Sequence, residues 1–267
     1  MIDPKIQAEL RERFNPDGSM LRQHQLRMLE MLKYIDKVCQ ENNIPYWLSS
    51  GTCLGAVRHG GFIPWDDDMD IEMLGRDYDR FIKIIETTND CPYVLQTHKS
   101  DPSYIISFGK LRDRFSEIVE DDIMDKDYKY KGIYIDIFPI EPSNSLKLAL
   151  LGKYLYLICW IMNKLTNKMV RKTCRTIVYI GVFKVIIPIL KPFTKMSNKK
   201  ILRHRLGSTY IKKRNYDHIF PLNQIQFEGY SFTCPYDTDA YLKLIYGDYM
   251  KLPSKIEIHA SNIRFIE

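Results

Sequence analysis

An α+β fold, with a mixed sheet flanked by helices and interrupted by a basic helical insertion, is what the order of hydrophobic patterns along these 267 residues predicts. Two observations carry the prediction. Up to residue 141 the periodicity runs helix, strand, helix, strand, helix, and then several strands in succession, which is not the strict alternation of a βα array. Residues 142–216 then hold 17 Lys/Arg and no Asp or Glu, whereas the rest of the chain has 22 basic against 33 acidic residues. A formal net charge of +6 therefore hides one basic segment set in an acidic protein. The length suits one large domain or a catalytic domain with a small appendage, and 45% hydrophobic residues argue against disorder.

From Met20 to Gln40 the apolar residues Leu21, Leu26, Leu29, Leu32, Ile35 and Cys39 fall on one helical face, and "ENNIP" ends that helix. A short strand, "YWLSSG", runs into Gly51, after which "TCLGAVRHG" reads as a brief helix. A second strand is expected at "DMDIEML", with Asp68, Asp70 and Glu72 on one face and Met69, Ile71 and Met73 on the other. Residues 76–89 form the next amphipathic helix. "YVLQT", "YIISFGKLRD", "SEIVEDDI" and "GIYIDIFPIEP" read as strands, the last placing Asp136 opposite an apolar face of Ile133, Ile135 and Ile137.

We therefore expect residues 1–141 to form a catalytic core, 142–216 a basic and apolar helical insertion, and 217–267 a C-terminal segment that packs back on the core. Inside the insertion, "LALLGKYLYLICWIMN" and "TIVYIGVFKVIIPIL" are interrupted by Lys153 and Lys184. Neither offers the about 20 uninterrupted apolar residues that cross a bilayer, so a helical hairpin is expected, core-facing or lying in the membrane interface. Six scattered cysteines without a CxxC pair read as reduced thiols, and the charged N-terminus lacks a secretory pattern. Both suggest a cytoplasmic protein.

"GFIPWDDDMDIEM" places five carboxylates, Asp66, Asp67, Asp68, Asp70 and Glu72, within seven positions. A solvated acidic loop is the simplest explanation of such a cluster. Here it lies between apolar residues, and alternation sets Asp68 beside Asp70, where two uncompensated charges repel. A divalent cation would relieve that repulsion, and hard oxygen ligands suit Mg²⁺ or Mn²⁺. An EF-hand fails: counted from Asp66, its sixth position is Ile71 instead of glycine and its twelfth Asp77 instead of glutamate. Metal-assisted phosphoryl transfer remains, since it needs paired carboxylates on a strand, a third on another strand, and N–H groups at a helix start for a phosphate. The chain offers Asp68 with Asp70, Asp136, and "SSGT" at 49–52.

That combination resembles the nucleotidyltransferase superfold. More specifically, "LSSGTCLGAVRHGGFIPWDDDMDIEMLGRDYDRF", "GIYIDIFPIEP" and "YLKLIYGDYMKLP" resemble the LicD family of phosphotransferases, over roughly residues 20–141 and 219–260. The resemblance implies a nucleotidyltransferase-like mixed sheet and transfer of phosphocholine, or a related substituted phosphate, from a CDP-activated donor such as CDP-choline. The acceptor would be a hydroxyl of a cell-surface glycan (lipopolysaccharide, teichoic acid or capsule) or its lipid-linked precursor, and CMP would leave. It assigns Asp68 and Asp70 as the metal pair and Asp136 as the third acidic residue, ligand or base.

Around that core, Ser50, Gly51 and Thr52 form the phosphate turn, and Arg58 and His59 are candidate donor contacts, with surface charge on the helix as the alternative. Lys110 and Arg112 are candidates for phosphate from one strand face, and Tyr246 and Asp248 for closing the nucleotide pocket. Trp65 could stack on a base or headgroup or simply belong to the core, Asp66 and Asp67 could assist the metal pair, and His259 is a weak candidate. The basic segment suits an anionic membrane surface at the inner face of the cell membrane. No motif supports nucleic acid. Two other classes compete. A nucleotide-sugar glycosyltransferase with an Asp-x-Asp metal site usually needs about a hundred residues of nucleotide-binding βαβ structure first, but only 67 residues precede Asp68. A non-catalytic membrane scaffold is disfavoured by the intact Asp68, Asp70 and Asp136.

Overall fold

The computed structural model describes residues 1–88, 91–119, 126–143, 150–195, 200–256 and 263–266. The long helix predicted from Met20 forms as α2 (Met20–Glu41), after α1 (Pro4–Phe14). Ser19 caps α2, its hydroxyl accepting the Arg22 N–H at 3.2 Å, which satisfies one of the free donors at the helix start. Met28, Met31, Leu32 and Ile35 are fully buried on its inner face. Each contributes about 1.5–3 kcal/mol of apolar transfer.

They pack in one core with the alternate residues Met69, Ile71 and Met73 of β2 (Asp70–Leu74) and Ile133, Ile135 and Ile137 of β6 (Tyr134–Pro142). Between these lie α3 (Ser50–His59), α4 (Gly75–Thr87), β3 (Tyr93–Gln96), β4 (Gly109–Asp113) and β5 (Ser116–Ile118). The main sheet runs β1 (Trp47–Leu48), β2, β6, β4, β3, with β2 parallel to β6 and the other pairs antiparallel. The chain is thus a mixed α+β protein in which helices flank a mixed sheet.

Strand β4 is shorter than expected, because Tyr104 and Ile105 turn into the interior instead of pairing. In the basic segment the expected pair of helices forms, the second longer than its apolar stretch. Its helices α5 (Leu151–Asn163) and α6 (Lys168–Tyr179) form, and a π-helical stretch, Ile180–Ile186, joins α6 to α7 (Ile187–Lys195). The two halves that Lys184 separates in sequence therefore become one helix, Lys168–Pro192, 25 residues long, whose most apolar 18 residues have a mean hydropathy of 1.7, long and apolar enough to cross a membrane by those measures alone.

The segment then returns to the sheet. Strand β7 (Ile201–His204) pairs antiparallel with the end of β6, and β8 (Arg214–Asn215) pairs with β7. Gly152 lets α5 press on this return: a Cβ there would lie 1.7 Å from the Ser208 carbonyl oxygen, so only glycine fits without moving the backbone.

The last residues form α8 (Tyr216–Ile219), the hairpin β9 (Asn223–Phe227) and β10 (Tyr230–Cys234), α9 (Thr238–Tyr246) and β11 (Ile263–Phe265), which pairs with β5. The hairpin turns through Glu228 and Gly229 with φ of 51° and 82°, the left-handed pair that matches strand twist. Glu228 fastens it to the core, accepting from Arg22 at 2.6 Å and from the Phe62 N–H at 3.0 Å. His259 lies outside the described residues.

Candidate active site

The parallel pairing of β2 with β6 sets Asp70 directly beside Asp136. Backbone bonds hold Asp70 to the glycine turn: its N–H donates to Thr52 Oγ1 at 2.8 Å, and its carbonyl accepts the Ser49 N–H at 3.1 Å. On the other side of β6, β4 brings Lys110 level with Asp136, and its ammonium bonds that carboxylate at 2.9 Å. Lys110 also lies 3.4 Å from the Tyr134 ring centre.

In the loop just before β2, carboxylate oxygens of Asp66, Asp67 and Asp68 converge to within 4.8 Å of one another. Asp66 faces the start of α3, where a Cβ on Gly51 would meet its Oδ2 at 3.1 Å. Glycine there leaves room for the carboxylate, and the helix N-terminus favours a negative charge. Of these groups, Asp67, Asp68, Lys110, Tyr134 and Asp136 line a cleft of about 290 Å³.

The carboxyls are crowded. Burial raises Asp70 well above the usual carboxylate range, and Asp136, Asp68 and Asp66 push it further. Burial also raises Asp136, against which Lys110 pulls down. Asp66 is pushed up to about 7 by burial and by repulsion from Asp68 and Asp67. An all-oxygen donor set whose members repel one another fits a hard divalent cation, and the oxygens that converge most closely among the described residues are those of Asp66, Asp67 and Asp68.

A profile of the nucleotidyltransferase domain of LicD/FKTN/FKRP matches residues 43–150, from β1 past the end of β6. The lipopolysaccharide cholinephosphotransferase LicD of Haemophilus influenzae is 28% identical over 259 residues, covering 87% of this chain and 92% of that protein. Over these spans the chain is similar to the LicD family. An uncharacterized Rickettsia typhi protein is 31% identical over 140 residues, 45% of this chain and 44% of its own length. The human ribitol 5-phosphate transferase FKRP is 26% identical over 118 residues, 44% of this chain and 21% of its own length. The likeness to named phosphotransferases, over most of the chain for LicD, makes this protein a phosphotransferase.

Within this LicD-like site some expected residues come together and others do not. Ser50, Gly51, Thr52, Asp66, Asp70, Lys110 and Asp136 are neighbours, as described above. Tyr246 stands near Asp70, Asp66 and Ser50, and burial and the two carboxylates raise its hydroxyl. Arg58 and His59 are turned elsewhere. Arg58 donates to His59 Nε2 at 2.8 Å and to the Tyr249 carbonyl at 2.9 Å, while His59 meets Gln7 at 2.6 Å. They occupy the C-terminal turn of α3, where they meet α1 and the segment after α9, with Arg58 still within electrostatic reach of Asp66 and Tyr246. Trp65 packs edge-on against Phe14 and His59 and belongs to that cluster.

Arg112 is also buried, bonding Gln96 and the Gly132 carbonyl, with its guanidinium 4.7 Å from the Tyr134 ring centre. It supports a cleft residue from behind. Alternation places it on the face of Lys110, but proximity to a partner, not parity, decides where a long side chain ends. Asp248 is exposed in the turn after α9.

The sequence reading missed His24 and the tyrosines. His24 is buried on α2 and lines the cleft, with Nδ1 lacking a hydrogen-bond partner among the described residues. Burial lowers it to about 4, so it is neutral at neutral pH. Its helical face offered a signal, since it lies four residues before buried Met28. Tyr128, Tyr134 and Tyr210 also line the cleft, and Tyr210 comes from the basic segment.

The raised carboxyls fix a pH dependence. Asp66 titrates at about 7 in the fold against a model-peptide 3.8, so the folded state binds its proton more tightly than the unfolded state does. Metal-free stability should therefore fall as pH rises from about 4 to 7. Mg²⁺ or Mn²⁺ competes with those protons, and melting temperatures should show a metal-induced gain that grows over the same range. A gain independent of pH would contradict the assigned crowding.

Proposed function

We propose that this protein transfers phosphocholine, or a related substituted phosphate, from a CDP-activated donor to a hydroxyl of a glycan or lipid-linked glycan precursor, releasing CMP. The observation that carries this reading is the level pairing of Asp70 with Asp136 beside the Ser49–Thr52 turn, next to the convergent Asp66, Asp67 and Asp68. The likeness to an enzyme named as a cholinephosphotransferase over most of its length supports the headgroup. A nucleotidyltransferase-like architecture is the reading that the matched profile and the mixed sheet favour.

A divalent cation, Mg²⁺ or Mn²⁺, held by Asp68, Asp70 and Asp136, would neutralise developing charge on the phosphate oxygens. The protein's own groups do the positioning. Ser50, Gly51 and Thr52 present the start of α3 to a donor phosphate. Lys110 holds Asp136 in place and adds a positive charge at the cleft. Neutral His24 offers an uncharged ring nitrogen to the substrates. Tyr246 borders the donor side. We place the reaction at the inner face of the cell membrane, since the basic segment 142–216 suits an anionic surface.

The test is incubation with CDP-choline, CDP-ribitol, CDP-glycerol and UDP-sugars, with Mg²⁺ or Mn²⁺ and a glycan extract. CMP release from a CDP donor, dependent on acceptor, is expected. Release of UDP alone would replace this reading with a glycosyltransferase.

A further inference from the structure

One wall of the cleft is also part of an apolar exposed surface. On α5, Gly152, Leu155, Tyr156 and Cys159 line the cleft. Tyr154, Leu157, Ile158 and Ile161 of the same helix, at i, i+3, i+4 and i+7, are exposed. An α-helix with its side chains is about 10 Å across, so a single helix separates the cleft from that exposed face. The following long helix adds Met169, 80% exposed, and Ile177, 65% exposed, with Ile180 and Ile189. Single exposed apolar residues are ordinary, whereas a row on one helix and several more on the next mark an interaction surface.

Charge decides what covers it. Between Leu151 and Pro192 there is no Asp or Glu, and Lys153, Lys164, Lys168, Lys172 and Lys184 are exposed. A second copy would set these lysines against their own kind. An anionic bilayer satisfies both features, with the headgroup boundary taking the apolar row and lipid phosphates taking the lysines, whose stems can lie along the apolar surface. A bilayer crossing is opposed by the inner face of the long helix. Arg171 and Arg175 are buried there, each 2.7 Å from Asp127. Crossing would carry that ion pair into hydrocarbon or break it.

We propose that the helices of Leu151–Pro192 lie in the interfacial layer of an anionic bilayer and hold the cleft one helix diameter from the lipid surface. Their use in presenting a membrane-held acceptor rests on the transfer reaction proposed above, whereas the attachment itself does not. The same helix would then be wall and anchor at once.

The test is flotation of the full chain with vesicles of phosphatidylglycerol and phosphatidylcholine, against phosphatidylcholine alone. About tenfold more protein should float with the anionic vesicles, less so in high salt. The double substitution Ile177→Glu/Ile180→Glu should lower flotation about tenfold and leave the melting profile unchanged, because both side chains are exposed. Absence of flotation, or equal flotation of the variant, overturns the proposal. So does resistance to alkaline carbonate extraction, which means a crossing helix, or a dimer in light scattering that the variant dissolves. A chain that floats but releases no CMP leaves the docking standing and overturns only the reaction.

Discussion

Asp70→Asn should lower turnover by about 10² to 10³-fold or more while the melting temperature stays the same or rises, because this one change removes the charge proposed to hold the metal and a repulsion that the fold tolerates. The backbone around Asp70 is held by Thr52 Oγ1 and Ser49, neither of which involves its carboxylate, so an asparagine keeps the strand in place. What it removes is a carboxylate whose ionisation burial, Asp136, Asp68 and Asp66 all oppose. Asp68→Asn should lower turnover comparably with little change in stability, since Asp68 is exposed and lies outside the strand. The measurement is steady-state CMP release beside thermal melts with and without Mg²⁺. A loss of activity matched by a fall in melting temperature would assign both residues a structural role, and unchanged turnover would remove them from the site.

Glu72→Ala should cost about 3–5 kcal/mol of stability, a large part of what a domain this size possesses. Glu72 is fully buried and receives bonds from Arg214 at 2.8 and 3.1 Å, His204 at 3.2 Å, Trp47 Nε1 at 2.9 Å and the Tyr241 hydroxyl at 3.1 Å. Alanine leaves the Arg214 charge buried without its counter-ion. Urea unfolding measures the loss, and Arg214→Met on the Glu72→Met background should recover part of it, since no charge is then stranded. Recovery close to zero would show that packing, not charge, carries the position.

The same ion pair has a pH signature. Burial works against the Glu72 charge, but Arg214 and His204 outweigh it and hold the carboxyl at about 2 against a model-peptide 4.5. Its stabilisation is thus complete above about pH 4.5 and is lost as pH falls toward 2, a direction opposite to that of Asp66. The network also reaches the site, since the Ser50 N–H meets the Tyr241 hydroxyl at 3.4 Å. Glu72 thereby links the return strand of the basic segment to the phosphate turn.

Much of the core was legible because local periodicity is a local property. The helical face of α2, the alternation of Met69, Ile71 and Met73, and the strand around Asp136 all follow from which residues point inward. Long side chains were less legible. Lys110 and Arg112 share one strand face, but Lys110 ends on Asp136 at the cleft and Arg112 ends in a buried bond to Gln96. Arg58 and His59 follow the glycine turn in sequence, but their hydrogen bonds go to each other, the Tyr249 carbonyl and Gln7, which only the fold could show.

By itself the sequence determined which carboxylates were available, that Asp70 and Glu72 share a strand face, and that a long basic segment carried apolar helices. Only the tertiary structure decided that Asp136 stands level with Asp70, that Glu72 is an ion-paired core residue while Asp70 is crowded by Asp136 and Asp68, and that Tyr156 and Tyr210 bring the basic segment into the cleft wall. The physical reason is range. Strand parity is set by each residue's immediate neighbours, whereas the register between strands and the counter-ion that makes a buried charge tolerable come from residues such as Arg214, 142 positions away.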